Sequence, residues 1–328
     1  MSLSSRLRAL SSLVAACSVG MLAIAPASAQ AYPDKTVRII VPFGAGGITD
    51  VVARLVGQHL GEELNQTMVI ENRVGAGGAI GATLAAQAQP DGYTLMLGTV
   101  GTQVVNKMLY KKLSYDPASF TPISLVSNSP FVLAINDIPG VTDLQQLAAY
   151  AKSKPEALSF GSAGNGSTPH LGLELFKLST GTNPLHVPFK SGAEAVNAAL
   201  GGQVQGAIDA IPVIQPHAKS GKLKILAVLA KDRNNLLPGV PTSAEEGFPQ
   251  FQIGAWTALV APPGTPQDRI DTLNAALTRA MKRPTLVARF AQIGVEPMTP
   301  GVPAYLAHVQ SETEKWGKVT KAAGTQRD

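Results

Sequence analysis

The sequence has a single cysteine, Cys17, so it offers no intramolecular disulfide and no thiolate cluster for a metal. Aromatic residues are scarce at 5%, charged residues reach only 15%, and no basic run is longer than two residues. Charge this sparse excludes a self-repelling disordered chain and leaves no footprint for nucleic acid. The five histidines, His59, His170, His186, His217 and His308, show no metal-ligand spacing, and no cofactor is expected. What is abundant is apolar residue, at 45%, together with 32 glycines and 24 prolines. A chain of 328 residues with this composition builds one large α/β domain or two turn-rich ones.

Only the first residues hold a long apolar run. Arg6 and Arg8 precede a stretch from about Ala9 to Ala25, closed by Pro26-Ala27-Ser28-Ala29. Positive start, apolar middle and small residues before a cut describe a secretory signal over 1–29. Ala29-Gln30-Ala31 offers a second frame, with cleavage after Ala31. A membrane anchor is the alternative, opposed by Ser11, Ser12 and Ser18 and by a run shorter than about 20 residues. A lipid anchor at Cys17 is opposed by the apolar run that continues past it. After cleavage no cysteine remains, which suits an oxidising compartment without disulfides.

Beyond this segment the pattern alternates. Thr36 to Phe43 is a β-branched run ending at a glycine cluster, and Val51, Val52, Leu55, Val56, Leu60 and Leu64 follow at helical spacing. Met68 to Glu71, Tyr93 to Thr99, Leu158 to Ser162, Leu185 to Phe189, Val204 to Asp209 and Leu223 to Leu229 read as strands between helical stretches, which predicts parallel sheets. Two β-prone runs break the rhythm: Ile123 to Asn136, interrupted by Ser127 to Pro130, and Gln252 to Ala261. Read as crossings between domains, they divide the chain into one lobe of 30–129 plus 252–328 and a second of 130–251, with a cleft between them. A single larger open sheet is the alternative.

Open α/β sheets bind ligands at the carboxyl ends of their strands. The first loop there is Phe43-Gly44-Ala45-Gly46-Gly47-Ile48-Thr49-Asp50, between a strand and a helix. Glycine lets the backbone approach a ligand closely, and the unpaired N–H groups at a helix start favour an anion. Thr49 or Asp50 is a candidate cap; the alternative is a glycine-rich turn with no ligand. The second loop, Ser162-Ala163-Gly164-Asn165-Gly166-Ser167-Thr168-Pro169-His170, also joins a strand to a helix and lies in the other half of the chain. Two such loops can hold one carboxylate from both sides.

Several motifs together resemble a known family. Val41-Pro42-Phe43, Gly46-Gly47, Thr49-Asp50, Glu71-Asn72-Arg73, Gly75-Ala76-Gly77-Gly78, Pro90-Asp91-Gly92-Tyr93, His186-Val187-Pro188-Phe189-Lys190 and Trp316-Gly317-Lys318-Val319 are similar to the Bug-type, TctC-like receptors of tripartite tricarboxylate transporters. The resemblance spans the chain after the signal. It implies an α/β, type II periplasmic binding protein of two lobes, each a mainly parallel sheet flanked by helices, holding a ligand mostly by main-chain amides and waters. It implies a periplasmic location, no enzyme activity, a small carboxylate ligand and membrane transporter subunits as partners. A monomer is expected. Ala45 and Ile48 depart from the family's usual Pro and Gly in the first loop. Ile48 cannot easily take positive φ, and is expected to narrow the cleft or press an apolar surface on the ligand.

Further candidates follow from their positions. Thr99, Gly101 and Thr102 end a strand and are read as lining the site or as plain capping residues. Ser191 is a donor at the end of the His186 strand, beside a Lys190 read as solvated. Asp209 ends an apolar strand, where it would accept from a ligand ammonium or hydroxyl, or cap the helix before Pro212. His170 is expected to stabilise its loop. Gly75 to Gly81 lacks the acid of a dinucleotide fingerprint and reads as a turn with close helix packing. Ser162 lacks a Gly-x-Ser-x-Gly elbow, which disfavours a secreted hydrolase. A sensory receptor presenting its ligand to a signalling partner remains the other alternative.

Overall fold

The first strand, β1 (Val37–Val41), is apolar and buried except at Arg38, which pairs with Glu71, as suits a strand covered over most of both faces. The computed structural model describes residues 32–323; the signal segment, its cleavage sites and Cys17 lie outside the described residues. The chain divides into Met1–Asp34 and Lys35–Asp328, and every element named here belongs to the second unit.

After β1 the chain enters α1 (Ile48–Leu64), which buries Val52, Ala53, Val56 and Leu60, and then β2 (Met68–Asn72). A glycine turn leads to α2 (Ala79–Ala86) and β3 (Thr94–Thr99), followed by a π-helical turn over Gly101–Val105 and the short α3 (Asn106–Leu109). The long β4 (Thr121–Ile135) comes next. Three βα units follow: α4 (Leu144–Ser153), β5 (Ser159–Ser162), α5 (Thr168–Thr180), β6 (Leu185–Pro188), α6 (Gly192–Leu200), β7 (Gly206–Ala210) and α7 (Ile211–Lys219). The chain closes with β8 (Lys224–Val228), β9 (Gly254–Ala261), α8 (Gln267–Ala280), α9 (Pro284–Ile293), β10 (Glu296–Pro297) and α10 (Val302–Ala323).

The strands lie in the order β2-β1-β3-β9-β4-β7-β5-β6, with β8 and β10 also on β4. β1 runs parallel to β2 and β3, and β5 runs parallel to β6 and β7, as alternation of strand and helix requires. The expectation of mainly parallel sheets needs correction, because every pairing of β4 and β9 is antiparallel. No helix separates β8 from β9, so no crossover forces β9 parallel, and it fills the place between β3 and β4.

β4 is one strand, although Ser127 to Pro130 suggested an interruption. Register shifts between Pro122 and Ser124 and between Leu125 and Ser127 keep it paired with β9, and the fully buried Ser127 and Thr257 hydroxyls meet at 2.9 Å across the strands. The last β9 partner in β4 is Pro130, opposite Gly254, and beyond it β4 pairs with β7 and β8 instead. Proline, which has no N–H for the ladder, falls where the partner changes.

On one side of the sheet, Glu63 accepts from Arg279 and Arg283 at 2.7 Å each and fastens α1 to the α8 end. Elsewhere one oxygen of Glu312 on α10 accepts from both tryptophans, Trp256 Nε1 at 2.9 Å and Trp316 Nε1 at 2.8 Å. Among the described residues no helix is long and apolar enough to cross a membrane.

Candidate functional site

Four helices begin next to one another. The starts of α1 (Gly47, Ile48, Thr49), α5 (Ser167, Thr168, Pro169) and α6 (Gly192), together with Asp209 just before α7, line a cavity of about 30 Å³. Phe43, Phe131, Ala163 and Ala255 complete its wall. A single water's share of the liquid is about this size, so the cavity is small as it stands. Two larger surface grooves, of about 600 and 670 Å³, lie beside Trp256 and His308 and beside Lys219, Lys222 and Lys224, away from these helix starts.

The local sequence sets each helix start. Gly46 takes φ of 80°, which turns the chain out of β1 and into α1. Ile48 has no need of positive φ, because it is the first residue of α1; its side chain is buried and faces the cavity. Neither Thr49 nor Asp50 caps α1: the N-cap is Gly47 and carries no side-chain bond. Asp50 turns away from the cavity. It accepts from Gly46 N and Arg54 Nε at 3.0 Å each, from Arg54 Nη2 at 2.9 Å and from Asn72 Nδ2 at 3.0 Å. Burial alone would raise the Asp50 carboxyl, but the bonds from Arg54, Gly46 and Asn72 outweigh it and hold it below its usual range. Asn72 also donates to Phe43 O at 2.9 Å, so Asp50 and Asn72 shape the first loop from behind.

The first amides of a helix precede its first internal bonds. In α1 the first such bond is Val51 N to Gly47 O, and in α6 it is Ala195 N to Ser191 O. The amides of Ile48, Thr49 and Gly192 precede these bonds, and the macrodipoles add partial positive charge there. The hydroxyl residues Thr49 and Thr168 also line the cavity.

Asp209 is the one charged residue lining the cavity, and it is 2% exposed. Burial pushes its carboxyl up to about 7, offset in part by the bond that Oδ1 accepts from Ala210 N at 2.7 Å. It does not cap α7, whose N-cap is Ala210, without a side-chain bond.

Other predicted residues lie outside the cavity lining. Gly44 donates to Lys190 O at 3.2 Å and packs on Ser191, and Gly46 faces Ala193, so the first loop rests directly on the start of α6. Ala45 is exposed. Ser191 caps α6 by accepting from Glu194 N at 3.2 Å. Thr99 and Thr102 are buried, and Thr102 Oγ1 accepts from Thr99 N at 3.0 Å within its own turn. Gly101 faces Gly166 O, and Gly77 faces Asn165 O, closely enough that neither tolerates a Cβ. The Gly75 to Gly78 segment, expected as a turn, is therefore also a contact with the second loop; Gly81 packs closely on Arg73 O and Pro42.

The second loop is held from inside. Ser162 is fully buried, with its Oγ 2.6 Å from His186 Nε2 and accepting from Gly164 N at 3.1 Å. His170 Nδ1 accepts from Gly166 N at 3.1 Å, and its ring stacks on His186 at 4.2 Å between centroids. Tyr110 donates to Asn165 O at 3.4 Å. A serine beside a histidine resembles a nucleophile and its base, but Ser162 stands behind the cavity wall, where it positions Gly164.

Sequence reasoning missed Phe131, Gly192 and Ala255. Gly192 adjoins the predicted Ser191 and was legible as a helix start. Phe131 and Ala255 are apolar strand residues whose patterns resemble any core position.

The architecture, a mixed α/β sheet with helix starts gathered at one cavity, is that of the periplasmic binding proteins. A solved structure of periplasmic binding protein BugD covers 90% of this chain and all of its own, at 36% identity and a TM-score of 0.86. A structure of MatC from Rhodopseudomonas palustris with bound malate covers 88% of this chain and 99% of its own, at 38% identity and a TM-score of 0.84. Protein BugT of Bordetella pertussis is 36% identical over 306 residues, 92% of this chain and 93% of the relative. The model of the tripartite tricarboxylate transporter family receptor, TctC, matches residues 52–325, and the chain belongs to that family.

Proposed function

We propose that the protein is a periplasmic solute receptor that encloses a small carboxylate between two lobes and delivers it to a tripartite-type membrane transporter. The observation that carries this reading is the convergence of the α1, α5 and α6 starts on one small cavity. Amides and hydroxyls there supply fixed partial positive charge for a carboxylate, and no full cation competes. A relative of similar fold holds malate.

Opening is required for loading, since a cavity of about 30 Å³ admits no organic acid as it stands. The proposed lobes are 30–129 with 252–328, and 130–251. The proposed hinge is where β4 exchanges β9 for β7 and β8, at Pro130 and Phe131, and where β9 begins opposite, at Gly254. In the open form a carboxylate would meet the helix start of one lobe. Closure would bring the other lobe's amides onto it and exclude water. Because amides rather than cations hold the ligand, release breaks no buried ion pair.

Thermal shift across di- and tricarboxylates, aromatic acids and amino acids tests the binding reading. A ligand at one hundred times its Kd should stabilise the protein by about 2.7 kcal/mol. No shift with any of them, and no co-purified acid in native mass spectrometry, would sink it. Uptake of the identified acid by cells lacking the protein separates delivery from signalling: uptake that persists would favour a sensory receptor.

A further inference from the structure

We infer that Asp209 is the hydrogen-bond donor to one oxygen of the bound carboxylate, so that this receptor takes up its ligand together with a proton. The inference rests on the carboxylate-binding reading above and deepens it, by assigning a donor that the helix starts alone do not provide.

The geometry is specific. Asp209 belongs to the C-terminal part of β7, opposite Val132 of β4, and lines the cavity. Oδ1 is engaged by the Ala210 amide at 2.7 Å, and that is the side chain's one hydrogen bond among the described residues. Oδ2 lies against the bare Cα of Gly192, at the start of α6. An ionised carboxylate in this place would stand beside the incoming carboxylate with nothing to separate the charges, whereas the neutral acid presents an O–H to it.

No neighbouring group alters this balance. The strands beside it, β4 and β5, contain no charged residue, and on its own β7 Asp209 is the only one. On α1, Asp50 is committed to Arg54, Gly46 and Asn72. On α5, His170 receives the Gly166 amide and turns its other nitrogen toward Glu174, 3.7 Å away, which also pairs with Lys177 at 3.0 Å. On α6, Glu194 accepts from the Lys190 amide at 3.2 Å, while the Lys190 side chain is exposed. On α7, His217 and Lys219 sit in the last turn, at the opposite end from Asp209. Burial without a cation pushes the Asp209 carboxyl up to about 7, so the neutral form is accessible near neutral pH.

No covalent step is involved. The proton comes from solvent, resides on Asp209, and is shared in the hydrogen bond to the ligand anion. Binding must then weaken as pH rises and the free receptor loses this proton.

The test is calorimetric titration of the full protein with the strongest binder from a panel of malate, succinate, adipate, citrate and benzoate. It is run at about pH 6.5 and about pH 8.5, each in two buffers of different ionisation enthalpy. The expected result is a Kd on the order of tenfold weaker at the higher pH, with uptake approaching one proton per ligand there. In Asp209→Asn, which keeps an N–H donor but cannot titrate, affinity should no longer depend on pH, whatever its absolute value. If that variant binds too weakly to titrate, the proton count of the unmodified protein decides. Equal Kd at both pH values with buffer-independent heats would overturn the inference while leaving carboxylate binding intact. So would a pH slope that persists in Asp209→Asn and vanishes in His170→Asn. Absence of binding at either pH would overturn both readings together.

Discussion

The carboxylate of Asp209 occupies the space that a side chain on Gly192 would need: a Cβ built there overlaps Oδ2 and crowds both other carboxyl atoms. Gly192→Ala is therefore expected to push Asp209 off its place or to shift the start of α6. Overpacking of this kind costs about 1–3 kcal/mol. Urea denaturation reads the loss, and carboxylate affinity should fall more than stability predicts. A variant with unchanged stability and affinity would mean that the two elements give way easily.

Asp209 also has a cost for folding. Its folded-state value of about 7 lies above its ordinary 3.8, so the stabilisation that comes with its proton is complete below pH 3.8 and is lost as pH rises through about 7. Asp209→Asn should therefore gain stability over the unmodified protein at pH 8.5, by roughly 4 kcal/mol at most, and the advantage should shrink toward pH 5. Chemical denaturation of the ligand-free proteins at both pH values checks this. A difference that does not change with pH would contradict it.

Asp50 behaves in the opposite sense. Its carboxyl lies below its ordinary 3.8, so its contribution is present above that value and disappears as pH falls through the folded-state value. Asp50→Asn removes the charge that Arg54 meets and disturbs the acceptors of Gly46 N and Asn72 Nδ2. A loss of roughly 1–3 kcal/mol at neutral pH is expected, vanishing in acid. Thermal unfolding of the two proteins from pH 7 to pH 3 should show the curves converging.

Glu312 holds both tryptophans, so Glu312→Ala leaves two indole N–H groups without their acceptor. With Glu312 half-buried, about 2 kcal/mol is the expected cost, and Glu312→Gln should recover part of it because the amide oxygen still accepts. Equal losses in the two variants would argue that packing of the side-chain stem, and not its oxygen, matters.

Much of the fold could be read in the residues because strand and helix periods differ. Val52, Val56 and Leu60 marked α1, and the β-branched run before it marked β1. The two long strands β4 and β9 were also visible, yet their antiparallel pairing was not, since an apolar strand carries no record of its neighbour's direction. The loops that form the candidate site announced themselves through glycine. Their division of labour did not: Gly44, Gly77 and Gly101 serve contacts between loops, while Gly47 and Gly192 reach the cavity. Thr99 and Thr102 looked available at a strand end, but the π-helical turn folds their polar atoms back inside. Phe131 and Ala255 gave no signal, because a residue that lines a cavity and one that fills a core share the same apolar chemistry.

The chain contains two tryptophans, and both donate to the same oxygen of Glu312. Trp256 follows Ala255 directly in β9, and successive side chains of a strand face opposite ways, so the indole lies one residue behind the cavity wall. All intrinsic indole emission from this receptor therefore originates at one junction of β9 and α10, next to the edge-on ring of His308. A change in emission on adding a carboxylate would report movement of that junction without any attached dye.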